Sequence, residues 1–202
     1  MPKTMNVVSL LAVGVTVVSL AGCSSAGSQE ESPSSGAVGS ESSALRSFPP
    51  LPDSTLAAPK GNHLAFFHDA VGVQIYSCQQ GSSGFAFGFV APEARLFDHR
   101  GNVVINHFGG PTWQSVADGS SVIGTTIAKF TDDPNSIAEL LLAGSSHTGN
   151  GIMSDVTFIQ RLETVGGLAP STGCDADHLG EVVRVPYTAT YFFYRANDPS
   201  YD

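Results

Sequence analysis

Charge is scarce in this chain. Asp, Glu, Lys and Arg make up only 13% of its 202 residues, and 9 Lys and Arg face 18 Asp and Glu, for a formal net charge of −9. Nucleic-acid binding depends on Lys and Arg meeting phosphates, and docking on anionic lipid headgroups depends on the same side chains. The balance argues against both; the acidity serves solubility. No apolar run reaches the ~20 residues of a membrane-spanning helix. There are 3 cysteines, with no C-x₂-C spacing for a structural zinc site. The sequence has no G-x-S-x-G elbow, no H-E-x-x-H, no EF-hand loop, no phosphate loop and no dinucleotide fingerprint. With each of these signatures missing, no metal and no cofactor is expected.

What is present begins at the N-terminus. Lys3 supplies a positive charge, residues 7–20 are apolar and uncharged, and Leu20-Ala21-Gly22-Cys23 follows. The run suits the apolar region of a secretory signal, and its L-A-G-C ending resembles the bacterial lipobox. That resemblance implies a signal peptide over 1–22 and acylation of Cys23, since several acyl chains at ~0.8 kcal/mol per buried CH₂ anchor a protein stably where one does not. Residues 24–47 are rich in Ser, Gly and Glu, too poor in large apolar side chains to offset chain entropy, and read as a flexible tether. The expected location is the bacterial cell envelope, with the membrane as partner through the N-terminal lipid. Ser24, rather than Asp, follows the cysteine, which favours the outer membrane if the host is Gram-negative.

Residues 48–202 read as one domain. Gly 22 and Pro 12 imply many turns, as in a β-rich fold. Residues 48–59 are a proline-punctuated lead-in. Strands are expected at 63–67, 73–78, 85–90, 94–97, 103–107, 112–116, 121–130, 156–164 and 182–195, the last being the longest. Asp69-Ala70-Val71-Gly72 reads as a turn, and 145–151 as a flexible loop. Pro186 implies a sheet edge or a bulge. One helix is expected from Pro134 to a stop at Gly144: Asp132 or Asp133 can cap it, and Ile137, Leu140 and Leu141 share a helical face. The fold class is all-β, a sandwich or partly closed barrel with one short helix packed against it. With Cys23 acylated, Cys78 and Cys174 remain. In an oxidising compartment they form the one possible disulfide, closing a loop of roughly 95 residues worth ~4 kcal/mol in the chain-entropy model.

The densest stretch of chemistry is 107–124, H-F-G-G-P-T-W-Q-S-V-A-D-G-S-S-V-I-G, which holds the only tryptophan, Trp113. A large aromatic between tight turns is a packing centre or the floor of a pocket. A ligand site would draw on Trp113, His107, Tyr76 and Tyr187, with Tyr191 nearby, and would take a small molecule, a glycan or a protein partner. The alternative is a hydrolase using His107, Asp118 and a nearby serine, Ser115, Ser120 or Ser121. Convergence of those three in a cleft favours chemistry; the same groups splayed apart or sealed in the core favour binding or structure. Among the histidines, His63, His68, His99, His107, His147 and His178, none pair at metal-ligand spacing. Asp175, Asp177 and His178 form an acidic loop that lacks a cation-binding pattern. Oligomeric state is not legible.

Several blocks resemble the secreted domain-of-unknown-function family 3455: Q-I-Y-S-C at 74–78, P-E-A-R-L-F-D at 92–98, H-F-G-G-P-T-W at 107–113, D-G-S at 118–120, I-Q-R-L-E-T-V-G-G-L-A-P at 159–170, G-C-D at 173–175 and V-P-Y-T-A-T-Y-F-F-Y at 185–194. The resemblance implies a single secreted domain and supplies no activity. Some relatives bear a malate dehydrogenase label. This chain lacks the alternating strands and helices that a nucleotide fold requires. The expectation is a non-enzymatic envelope protein that binds a ligand or partner through the Trp113 face.

Overall fold

The computed structural model describes Leu51 and residues 53–198. The expected signal peptide, Cys23, the expected tether and the first residues of the lead-in lie outside the described residues. Eight strands follow in order: Asn62–Gly81 (β1), Gly84–Phe97 (β2), Val103–Phe108 (β3), Thr112–Ser115 (β4), Ser121–Phe130 (β5), Glu139–Thr148 (β6), Val156–Gly166 (β7) and Val182–Ala196 (β8). Each pairs antiparallel with its sequence neighbours, and β8 pairs back onto β1, so the sheet closes into a barrel. The all-β expectation holds, and the barrel is fully rather than partly closed. Closure leaves no strand edge among the eight. An eight-stranded ring is just wide enough to be filled by side chains or to hold one small ligand.

Alternation along the strands separates two apolar clusters. Tyr187, Ala189, Tyr191 and Phe193 of β8 join Ala70, Leu96, Ile105, Trp113, Val122, Leu142 and Ile159 in the lumen. Phe192 and Tyr194, one residue out of phase, pack with Leu141, Leu162 and Leu56 on the outside of the wall. Leu56 comes from the lead-in, which forms a single 3-10 turn, Ser54–Leu56, capped by the Asp53 carboxylate accepting from the Thr55 N–H. Leu56 is fully buried, a contribution of about 2 kcal/mol. Its carbonyl accepts from the Gln160 amide, and the Gln160 oxygen accepts from the Tyr194 hydroxyl at 2.6 Å. The outer wall is thus covered here by a strap with its own polar fasteners. The side chains that turn inward are mainly apolar, whereas lipid-spanning barrels carry polar interiors.

The expected helix over 134–143 does not form. Asp133 does accept from a backbone N–H, that of Asn135, and from the Ser136 hydroxyl, but it caps a turn. The chain then enters β6 at Glu139. Cap chemistry and turn chemistry use the same residues, and Leu140-Leu141-Leu142 is apolar throughout because β6 is covered on both faces, by the lumen and by the Leu56 strap. The expected turn at Asp69–Gly72 is likewise strand, interior to β1, which at 20 residues is the longest. A Cβ on Gly72 would lie 2.3 Å from the Glu93 carbonyl, so this glycine marks a close approach between β1 and β2. The two short strands expected around Pro92 are one, β2, with a bulge. The loop expected at 145–151 begins only after Thr148. Pro186 pairs with Val73 on one side, and the β7 ladder stops at Tyr187 on the other, so its missing N–H disturbs no second ladder.

Cys78 and Cys174 are bonded, at a separation of 96 positions in sequence. The bridge ties the 167–181 connection to β1, and backbone bonds reinforce it: Cys78 N–H to the Glu181 carbonyl at 2.8 Å and Gly180 N–H to the Cys78 carbonyl at 2.9 Å. A loop of this length corresponds to about 4–5 kcal/mol of denatured-state entropy. Alkylation of the unreduced, denatured domain is therefore expected to label neither Cys78 nor Cys174, and the Cys78→Ala/Cys174→Ala variant to unfold at lower urea by about that amount. Labelling of either thiol would contradict the pairing.

Candidate functional site

The β3–β4 hairpin sets the site. His107 and Trp113 lie directly opposite in its register, and their rings stack at 4.3 Å with an interplanar angle of 11°. The Gly109-Gly110-Pro111 link allows the tight reversal, and the Thr112 hydroxyl fastens it by donating to the Gly109 carbonyl at 3.1 Å. His107 Nδ1 lies 2.9 Å from the Thr112 carbonyl, which can only accept, so Nδ1 carries the hydrogen. Trp113 is held edge-on against Tyr191 and Phe193. Its ring also rests on Gly124, where a Cβ would fall 2.9 Å from Cζ3. Trp113 and His107 are both sealed inside, 1% and 3% exposed.

Beside this stack lies a cavity of about 380 Å³. Trp113, His107 and Tyr191 join Leu140, Leu142 and Thr126 in its wall, with Gly110 and Pro111 from the β3–β4 link. Phe89, Val90 and Pro92 complete it from β2. Opposite Ile75 and Tyr76 the β2 register steps from Ala91 to Phe89, leaving Val90 as the extra residue of a bulge. Phe89 and Val90 are both more than half exposed and form the lip of the cavity.

The remaining wall groups are polar, Gln74 and Arg161. The Arg161 guanidinium donates to the Ala138 carbonyl at 2.6 Å and to the Tyr191 oxygen. Its Nε, the Gln74 amide nitrogen and the Trp113 indole nitrogen are all buried without an acceptor. Glu163, two residues beyond Arg161 and on its face in a regular strand, is carried away from it. The β7 register shifts between Leu162 and Val165, and Glu163 sits at φ 54°. Its carboxylate instead accepts from the Thr190 hydroxyl at 2.7 Å. Burial pushes the His107 imidazole down to about 3, with the Arg161 charge acting in the same direction and the Thr112 bond opposing. His107 is neutral at physiological pH.

Asp118 and Ser120 belong to a different assembly. Asp118 accepts from the Ser120 hydroxyl at 2.6 Å and from the Ile152 N–H at 3.0 Å, and Ser120 Oγ accepts from the Met153 N–H at 3.1 Å. These bonds latch the β4–β5 turn to the 149–155 turn and hold the Asp118 carboxyl at about 2, the Ser120 hydroxyl being the largest cause. The one proton of Ser120 goes to a carboxylate, and the His107 Nδ1 proton goes to a backbone carbonyl. The hydrolase candidates therefore work in separate networks. Tyr76 and Tyr187 are buried but are not wall residues: Tyr76 donates to the Gly167 carbonyl at 2.6 Å, and Tyr187 shares a 3.1 Å bond with Tyr191. Asp175 caps the 3-10 turn Ala176–His178 and meets His178 Nδ1 at 2.6 Å, which accounts for the acidic loop. No cluster of three or more potential metal ligands forms among the described residues.

A family model described as Protein of unknown function (DUF3455) matches residues 59–195. The chain belongs to this family. The DUF3455 match opens just ahead of β1 and closes within β8, so the unit it describes is the barrel together with its site. No curated protein and no solved structure matches.

Gln74 and Arg161 were the site residues hardest to find from sequence. A signal existed for each. Gln74 is the polar member of a face shared with Tyr76 and Cys78, and Arg161 is the sole charge between Val156 and Leu162.

Between pH 6.5 and about 3 the unfolded DUF3455 chain binds a proton at His107 that the folded barrel does not. Stability accordingly rises with pH over this window and is lost as pH falls through it. Over two pH units the difference is roughly 2–3 kcal/mol. Urea unfolding at pH 6.5 and at about 4.5 is expected to show this loss. His107→Phe, which keeps an aromatic ring on Trp113, should be less stable at pH 6.5 yet lose that part of the slope. An unchanged slope would place the proton elsewhere.

Proposed function

We propose that this DUF3455 chain is a lipid-anchored ligand-binding protein of the bacterial cell envelope, whose barrel takes a small molecule into the Trp113 cavity. One observation carries the reading. Gln74, Trp113 and Arg161, all residues of the wall of a cavity with an exposed apolar lip, each hold a buried N–H donor without an acceptor. Buried donors are ordinarily paired, and an unpaired one costs about 1–3 kcal/mol. A fold retains such groups at low cost when something else supplies the acceptors. The cavity falls in the ~300–1,000 Å³ range of small-molecule sites and has their composition, largely apolar with a few convergent polar groups. The separate networks of Ser120 and His107 support binding rather than hydrolysis. The lipobox resemblance at residues 20–23 supports the anchor and the location.

Trp113 is the only tryptophan, so emission excited selectively over the 5 tyrosines reports on the cavity floor alone. A ligand of this site should shift or quench that emission, and Leu142→Phe, which places a larger ring in the wall, should weaken binding about tenfold while the melting curve stays cooperative. A compound that binds equally well to Leu142→Phe occupies another place. For the anchor, Cys23→Ala expressed with the full signal should leave the protein out of the membrane pellet. If the variant pellets as fully as the parent, acylation is not what holds it there.

A further inference from the structure

We propose that the ligand is a singly charged carboxylic acid with an apolar body, its carboxylate meeting Arg161 and its body lying between Leu140, Leu142 and the Phe89–Val90 lip. The inference rests on the binding reading above and adds the ligand's class. The unmet atoms of the wall residues, Gln74 Nε2, Trp113 Nε1 and Arg161 Nε, are all nitrogen donors. Their complement is therefore a group made of acceptor oxygens.

Charge narrows the choice. Arg161 is a permanent cation, and its described partners, Ala138 and Tyr191, are neutral. Neither of the described ion pairs involves it: they join His178 to Asp175 and Arg184 to Glu93. Glu163 is turned outward onto Thr190; the Glu139 carboxylate, next along β6 and not part of the cavity wall, takes one bond at Oε1 from the Thr164 N–H and leaves Oε2 unmet. Arg161 is half-buried with no carboxylate among its described partners, and an incoming carboxylate supplies it with charge-assisted bonds.

The remaining features set the charge at one and make the rest of the ligand apolar. His107 is neutral and adds no second positive charge, so a phosphate dianion would bring a charge that nothing in the wall balances. Phe89, Val90, Pro92, Pro111, Leu140 and Leu142 offer no polar side-chain group. An acid with an aryl or branched aliphatic body fills both halves of the cavity; a sugar fills neither.

The test compares isosteres on the full mature protein by Trp113 fluorescence titration, with 3-phenylpropionate, 3-phenylpropanamide and 3-phenylpropanol as probes. Phenylpropionate is expected to bind at least about tenfold more tightly than the amide or the alcohol. Arg161→Gln should erase that preference and leave amide binding within about threefold. Because Arg161→Gln could disturb the fold, the isostere comparison on the parent protein stands alone as a test, and Gln74→Met supplies a milder variant, expected to weaken the acid more than the alcohol. If the amide or alcohol binds as well as the acid, the cavity takes ligands and the carboxylate assignment falls. If the acid preference survives Arg161→Gln in a folded variant, the anion sits elsewhere. If none of the three perturbs Trp113 at millimolar concentration, the binding reading falls, and this inference with it.

Discussion

Pairing of β8 onto β1 is the constraint from which the other features follow. Until that ladder closes, each inward residue faces a surface of undetermined curvature. Afterwards, eight strands enclose a space of fixed girth, and every second residue must fill it or line what is left. Closure also has an outer consequence. A wall that is apolar on both sides needs a second cover, which the lead-in supplies through Leu56 and its hydrogen bond from Gln160. The barrel is thus stabilised by a filled lumen, an outer strap and a covalent tie from Cys78 to Cys174.

The filling is uneven. Toward Phe193, Ile159 and Val122 the lumen is closed by apolar side chains. Toward the β2 bulge it stays open, and the polar inward residues collect at that end. Bulges decide much of this. The one at Val90 turns two apolar side chains to the lip, and the one at Glu163 removes the carboxylate that would otherwise have faced Arg161. A regular β7 would have placed an acid two residues beyond the arginine on the same face and given the cation an internal partner.

How much of this could be read in the sequence depended on the distance over which each feature is decided. The β3–β4 hairpin was legible because Gly109-Gly110-Pro111 and Asp118-Gly119 punctuate it locally. The disulfide was legible because two thiols leave one pairing. The Trp113–His107 pair was legible as a centre, though not as a stack. Asp133-Pro134-Asn135-Ser136 misled because the side-chain bonds that start a helix also close a turn, and Leu140-Leu141-Leu142 misled because both of its covers come from distant parts of the chain. Gly72 looked like a bend but records the nearness of β2. Arg161 was visible as an isolated charge, yet its isolation from Glu163 depends on a one-residue slip between β7 and β8 that no local pattern announces.

One further property follows from how the ring is joined. Asn62 at the start of β1 pairs with Ala196 at the end of β8, and the Asn197 N–H reaches the Gly61 carbonyl at 2.8 Å. The first and last strands therefore finish side by side, as any two consecutive strands of the meander do. The seam differs from the other junctions in lacking a peptide link and in being entered by the lead-in that carries Leu56. A linker from the end of β8 to the start of that lead-in, with a new break at the 149–155 turn, would yield a circularly permuted chain with the same ladders and the same strap, and the order of synthesis would be a historical choice rather than a requirement of the architecture.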